Sequence, residues 1–199
     1  MIDLLGFVFI ILPIALSPGT SFVLAMSNVS ILGVKGIFPV LYGTSIGITI
    51  HALLAGIGVS GLLTKHHTVM SVMKLIGITF LLFLGVRLIL NGINSDRAQA
   101  KFLSAVSGVK DAFILNLVNV RAIVLYVTVI PTVAGGKVLN FLLLSTVHIL
   151  ILAFWIAVCA ILLRSANKRF QMNRIHLITN VLGGLSLIGF AGKMLFENI

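Results

Sequence analysis

Two short polar interruptions stand inside otherwise apolar stretches, at corresponding places in the two halves of the chain: Ser17-Pro18-Gly19, and Asn116-Leu117-Val118-Asn119-Val120-Arg121. Ser17 is a good helix N-cap. Pro18 suits the first helical position because its missing N–H would be unbonded there, and Gly19 lets a ligand approach the backbone. Ser-Pro-Gly, followed by Thr20, therefore reads as the start of a half-helix, whose free N–H donors and partial positive charge suit a carboxylate. A proline kink packed against its neighbours is the competing reading.

Arg121 lies well inside its apolar segment. A charge at helix centre costs on the order of 3 kcal/mol by insertion scales, so the default reading of such a residue is functional. Snorkelling to an interface, with the span starting near residue 118, is the bland alternative. Asn116 and Asn119 add amide donors and acceptors at i and i+3, on one helical face.

His51 and His148 are the titratable groups deep in apolar segments, because Asp3, Asp96, Asp111 and Glu197 fall at termini, in a loop or at a segment edge. If protons couple through a side chain in the core, a histidine leads. Neutral imidazoles bonding between helices would serve equally well. His66-His67 lack carboxylate or thiolate company and make a weak metal ligand set. The single cysteine, Cys159, cannot form an intrachain disulfide and reads as a small packing residue. No metal site and no cofactor is expected. No phosphate-cradling glycine loop is visible, and no nucleophile, base and orienting group converge, so neither ATP drive nor an enzyme is expected.

The elements that must position these residues are membrane helices. Of 199 residues 59% are hydrophobic and 9% charged, with a mean hydropathy of +1.22. About a quarter of a soluble domain is charged. Roughly 20 apolar residues cross a bilayer core as a helix, and six such stretches are predicted, over 2–24, 37–62, 69–90, 112–131, 138–163 and 178–196. The net charge of +10 is scattered through connections rather than striped among aromatics, which argues against nucleic acid. The N-terminus lacks a basic n-region and a cleavage signal, so the first span is expected to be retained.

Lys35, Arg97, Lys101, Lys110, Arg164, Lys168, Arg169 and Arg174 fall in loops one, three and five, against Lys65, Lys74 and Lys137 in loops two and four. The positive-inside rule then puts odd loops in the cytoplasm and both termini outside. The halves overlay at an offset of about a hundred residues. Ser17-Pro18 falls near Asn119-Val120, His51 answers His148, and Lys74-Leu75-Ile76-Gly77 to Arg87 resembles Asn180-Val181-Leu182-Gly183 to Lys193. Three spans per half invert the second copy. The predicted fold is all-α, a 3+3 inverted repeat of six transmembrane helices with helices one and four broken: 1–90, a polar cytoplasmic linker 91–110, and 111–199. Paired breaks point to a substrate site near the bilayer midplane. Gly43 and Gly47, at the spacing that lets helices approach closely, read as packing first, with room for substrate beside Ser17 second. Tyr42, Tyr126 and Trp155 stay open between interface, packing and cavity roles.

The series Leu16-Ser17-Pro18-Gly19-Thr20, Gly33-Val34-Lys35-Gly36, the glycine-rich span with Gly43, Gly47 and His51, Lys74-x-x-Gly77 with Leu84-Gly85-Val86-Arg87, and Asn116-Leu117-x-Asn119-x-Arg121-Ala122 before Pro131 resembles the LysE/RhtB lysine and homoserine/threonine exporter family along nearly the whole chain. The resemblance implies a six-span carrier of the bacterial inner membrane that exports amino acids or related small zwitterionic or carboxylate metabolites, using the proton gradient. On that reading Ser17, Pro18, Gly19, Thr20, Asn116, Asn119 and Arg121 bind substrate, and His51 or His148 couples protons. The family usually has Pro-Gly-Pro at the first break and Asn-Pro-Lys at the second, where this chain has Pro18-Gly19-Thr20 and Asn119-Val120-Arg121. The second break thus lacks its proline, and arginine's fork favours bidentate carboxylate binding. With no acid in span five, backbone carbonyls, Asn116 or Asn119 would have to accept an ammonium. Small glycine-lined exporters often dimerise, which makes a homodimer the candidate assembly beside the small-molecule substrate and the lipid bilayer. The rival readings are a non-transporting scaffold subunit and a passive small-solute channel.

Overall fold

The structure is a computed structural model that describes residues 4–17, 19–63, 67–93, 106–164 and 168–196. Pro18, Lys65, His66, Asp96, Arg97 and Lys101, with residues 94–105 of the expected linker, lie outside the described residues. Among the described residues the chain is helical and carries no strand. The elements are α1 (Leu4–Leu16), α2 (Thr20–Leu32), a 3₁₀ turn (Val34–Gly36), α3 (Ile37–Leu63), α4 (His67–Ile93), α5 (Val109–Leu117), α6 (Val120–Val124), a π-helical segment (Leu125–Val129), α7 (Ile130–Ala134), α8 (Val138–Arg164) and α9 (Lys168–Phe196).

By length and composition two helices can cross a membrane, Val34–Gly58 and Val138–Leu163. The number rises to four when two bent pairs each count as one span: α1 with α2, bent by 47°, and α5 with the helix Val120–Ala134, bent by 53°. Leu75–Leu90 and Asn180–Phe196 are shorter apolar helices. Large apolar side chains cover the outside of these helices, Leu5, Phe9, Phe38, Leu54, Phe83, Leu150 and Phe154 among them. An apolar exterior of this extent suits lipid rather than water.

The bent pairs reach further than the sequence pattern suggests. The first continues to Leu32, eight residues beyond the predicted end at 24. Polar residues near its end find partners within the fold: the exposed Ser30 donates through Oγ to the Met26 carbonyl, and Asn28 is fully buried with partners of its own. The second spans 109–134 instead of 112–131. Both pairs stop at glycines of positive φ, Gly33 at 73° and Gly135 at 67°, the two such residues in the described chain. Only glycine takes that conformation without strain, and it is the usual helix stop.

The elements of the two halves follow one another in matched order. α2 and α6 start at 20 and 120, α3 and α8 at 37 and 138 with 27 residues each, and α4 and α9 at 67 and 168. α4 lies along α9, α3 packs on α5 and α8, and α1 is held by α8 and α9. The shared core includes Phe7, Ile10, Leu81, Leu84, Tyr126, Phe141 and Leu187.

Candidate functional site

At the first break the Ser17 N–H still donates to the Pro13 carbonyl at 3.1 Å, so Ser17 closes α1 instead of capping α2. The N-cap is Gly19, in extended backbone (φ −101°, ψ −172°), with no side-chain cap. The N-cap role expected of Ser17 therefore passes to a residue with no side chain. Gly19 itself has no side-chain oxygen to offer the leading N–H groups of α2, as Ser, Asp or Asn at that position would.

The second break restarts the helix without a proline. The Val118 N–H donates to the Ile114 carbonyl at 3.0 Å and the Asn119 N–H to the Asn116 carbonyl at 3.0 Å, which tightens and ends α5. Asn119 then caps α6, its Oδ1 accepting the Arg121 N–H at 3.0 Å. Asn116 and Asn119 consequently sit on opposite sides of a bend and do not share one continuous helical face, as their i, i+3 spacing had suggested. The carbonyl of Asn116 also bonds His51 Nε2, 3.2 Å away. A carbonyl can only accept, so His51 Nε2 carries a proton and adds a second donor to the carbonyl that already holds the Asn119 N–H.

The two breaks meet. Arg121 Nη1 donates to Ser17 Oγ at 3.4 Å, across 104 positions of sequence. A cavity of about 60 Å³ opens beside this pair, lined on its polar side by Ser17, Gly19, Thr20, Asn116, Asn119, Arg121 and His148. A Cβ on Gly19 would stand 3.9 Å from Arg121 Nη1, so the glycine leaves room beside the guanidinium and is not demanded by backbone strain. Asn116 Oδ1 is buried with no hydrogen-bond partner. Such an orphan costs about 1–3 kcal/mol and calls for a partner. Asp111 is the sole acid among the described residues, at the start of α5, where its Oδ2 accepts the Gly108 N–H. Arg121 thus faces the cavity without a carboxylate counter-ion from the described chain.

The rest of the wall is apolar: Ile14, Ala15, Phe22, Ile48, Leu125 and Leu152. These residues read in the sequence only as span-filling hydrophobics. The spacing of Gly43 and Gly47 serves the approach of α5 to α3. A Cβ on Gly43 would strike the Val109 carbonyl oxygen, and one on Gly47 would strike Asn116 Oδ1. Tyr126, on the π segment five residues after Arg121, is fully buried between His51 and His148. Its ring centroid lies 6.2 Å from that of His51 and 6.1 Å from that of His148, with interplanar angles of 22° and 18°. Its hydroxyl is 3.1 Å from His148 Nδ1. The sequence left Tyr126 unassigned, and the signal available was a lone phenol in the same segment as the cation. Tyr42 is exposed, and Trp155 is half-buried with Nε1 unpartnered. Cys159 is buried in the core, and among the described residues no group of three or more His, Cys, Asp or Glu could hold a metal ion.

The chain is similar to curated bacterial proteins, to two of the three that follow over nearly its full length. One is the uncharacterized membrane protein YrhP of Bacillus subtilis (strain 168), 21% identical over 97% of this chain and 98% of that protein. Another is the leucine efflux protein of Salmonella typhimurium, 28% identical over 96% of this chain and 92% of that protein. An uncharacterized membrane protein of Vibrio cholerae is 27% identical over 59% of this chain and 58% of its own length. No solved structure matches. The family model described as LysE type translocator matches residues 12–198. With two broken helices meeting at a cation-bearing cavity inside an apolar bundle, and that match along almost all of its length, the chain belongs to the LysE type translocator family.

Proposed function

We propose that this protein is a secondary exporter of neutral aliphatic amino acids, energised by the proton gradient across a bacterial inner membrane. The observation that carries the reading is the cavity where the breaks meet. It offers one cation (Arg121, with Ser17), the side chain of Asn116, whose buried Oδ1 has no hydrogen-bond partner, and an aliphatic wall. A carboxylate suits the guanidinium, whose fork can hold both oxygens. An ammonium suits the orphan oxygen. A side chain such as leucine's fills the wall formed by Ile14, Ile48, Leu125 and Leu152. Among the described residues no acid lines the cavity to hold a second positive charge, and Arg121 is the one Lys or Arg that lines it, which favours a zwitterion with an uncharged side chain. The name of the Salmonella relative, a leucine efflux protein, supports the same class.

Matched element order, matched glycine stops and two breaks at equivalent places support a 3+3 inverted repeat, whose halves rock about the cavity to alternate access. Both termini lie outside in this arrangement, and a cytoplasm-only reporter fused to the C-terminus stays dark. A bright fusion reverses the topology.

The test is reconstitution in liposomes preloaded with labelled leucine, valine, lysine and glutamate, with and without an inward proton gradient. Gradient-stimulated release of leucine or valine is expected, with at least a tenfold loss in Arg121→Ala that inserts normally. Properly folded protein that moves none of the four sinks the export reading.

A further inference from the structure

The Tyr126–His148 pair bears on what His148 does. Tyr126 is fully buried, and its hydroxyl has His148 Nδ1 as its hydrogen-bond partner, at 3.1 Å. A hydroxyl proton with no acceptor in an apolar interior costs about 1–3 kcal/mol. Tyr126 must therefore donate to Nδ1, which makes Nδ1 the acceptor and puts the ring's single proton on Nε2. Nε2 is then the nitrogen through which His148 can face the cavity it lines, and it faces it as a donor. Taking a second proton would set Nδ1–H against Tyr O–H, two donors head to head.

The surrounding charge pushes the same way. The titratable and charged groups gathered around His148 are Tyr126, Arg121 across the cavity and His51 on the far face of the Tyr126 ring. None is an acid, and the one described acid, Asp111, is engaged with Gly108. Arg121 repels an imidazolium in the same small cavity. The phenol is fixed by its backbone as well. It lies on the π segment Leu125–Val129, and single π turns inside helices recur at functional sites.

We infer that Tyr126 is a positioning residue that locks His148 as a neutral Nε2–H donor to the carboxylate of the substrate, so that His148 recognises substrate beside Arg121 and does not carry the coupled proton. The inference rests on the export reading above. It also separates the two histidines: His51 supports the second break through the Asn116 carbonyl, and His148 serves the cavity. The coupled proton is then carried elsewhere than at His148.

Three variants in leucine-loaded liposomes test it, each read as a pH profile of counterflow together with gradient-driven efflux. His148→Gln keeps an amide donor where Nε2–H stands, and it should retain counterflow within about threefold and full gradient stimulation. His148→Leu should raise the half-saturating leucine concentration at least tenfold. Tyr126→Phe frees Nδ1 and should create an acid limb in the counterflow profile that is absent from the wild type. Loss of gradient stimulation in His148→Gln with counterflow intact overturns the inference, because His148 would then be the proton carrier. An unchanged profile in Tyr126→Phe overturns the lock. A second measurement needs neither transport nor a variant: ¹⁵N-histidine NMR of the wild-type protein should give a neutral Nε2–H signal for His148 that is constant from pH 5.5 to 8. An Nδ1–H or imidazolium signal overturns the inference. Wild-type protein that moves no amino acid refutes the export reading instead, and the NMR result then decides the tautomer by itself.

Discussion

Gly85 of α4 and Gly184 of α9 meet reciprocally. A Cβ on Gly85 would reach the Gly184 carbonyl oxygen and Ile188, and a Cβ on Gly184 would reach the Gly85 carbonyl oxygen and Ile89. Each glycine faces the other and the isoleucine four residues beyond it, the pattern that a two-fold relation between the two helices produces. Small residues at such a crossing let backbones touch where lipid supplies no hydrophobic drive between helices.

That crossing predicts a ranking. The Gly184 Cβ would come within 2.5 Å of a carbonyl oxygen and 2.6 Å of Ile89, against 2.8 Å for both contacts of Gly85. Gly184→Ala should therefore lower the melting temperature in detergent more than Gly85→Ala, with costs of about 1–3 kcal/mol for overpacking. Gly189→Ala, on the same helix with open space around it, should be neutral or slightly stabilising because alanine is the better helix former. Equal effects at all three positions would refute close packing at the crossing.

Arg121→Lys should not rescue transport. The guanidinium reaches Ser17 while one edge remains for a carboxylate, whereas an ammonium is a point charge that cannot bond both sides in one plane. Counterflow of leucine should fall about tenfold or more in Arg121→Lys, the equivalent of ~1.4 kcal/mol. Ser17→Ala should cost less, since its hydroxyl positions the arginine and carries no charge. Wild-type flux in Arg121→Lys would remove bidentate recognition from the mechanism.

Much of this arrangement is legible in the sequence. The breaks, their pairing and the cation stand out because polar residues are expensive in apolar segments, and chain order matches across the halves at a steady offset. Cap identity was not legible. Ser17 has the better capping chemistry, but its N–H is still held by Pro13, so the N-cap moves to Gly19. The i, i+3 face of Asn116 and Asn119 failed for a related reason, because local spacing cannot register a 53° bend between the two residues. Tyr126 was invisible as a site residue because its partners, His51 and His148, are brought to it by α3 and α8 from distant sequence.

Gly43 and Gly47 should separate folding from transport, although they lie one helical turn apart. A side chain at Gly43 meets backbone atoms of α5, the Val109 carbonyl oxygen and the Phe113 nitrogen, which cannot swing aside. Gly47 instead meets the Asn116 side chain, which can rotate at the cost of leaving the cavity. Gly43→Ala is expected to reduce the yield of folded protein. Gly47→Ala is expected to fold with a smaller loss of stability than Gly43→Ala, and to lose leucine counterflow. Full transport in Gly47→Ala would show that the Asn116 amide does not hold substrate.

Asn28 ties the end of α2 to the segment entering α5. Its Nδ2 donates to the carbonyls of Gly36 at 3.1 Å and Ser107 at 2.9 Å, and its Oδ1 accepts the Ser107 N–H at 2.8 Å. The side chain is fully buried, so removing it strands backbone groups that have no water. Asn28→Ala should cost on the order of 1–3 kcal/mol for the unsatisfied groups left behind. Asn28→Asp should be worse, because an ionised carboxylate would face the Gly36 and Ser107 carbonyl oxygens with no proton to offer either. Ser107→Ala should be nearly silent, since Asn28 bonds only the Ser107 backbone. Thermal melts of the three variants check the order, and a Ser107→Ala protein as unstable as Asn28→Ala would place the tie in the serine side chain instead.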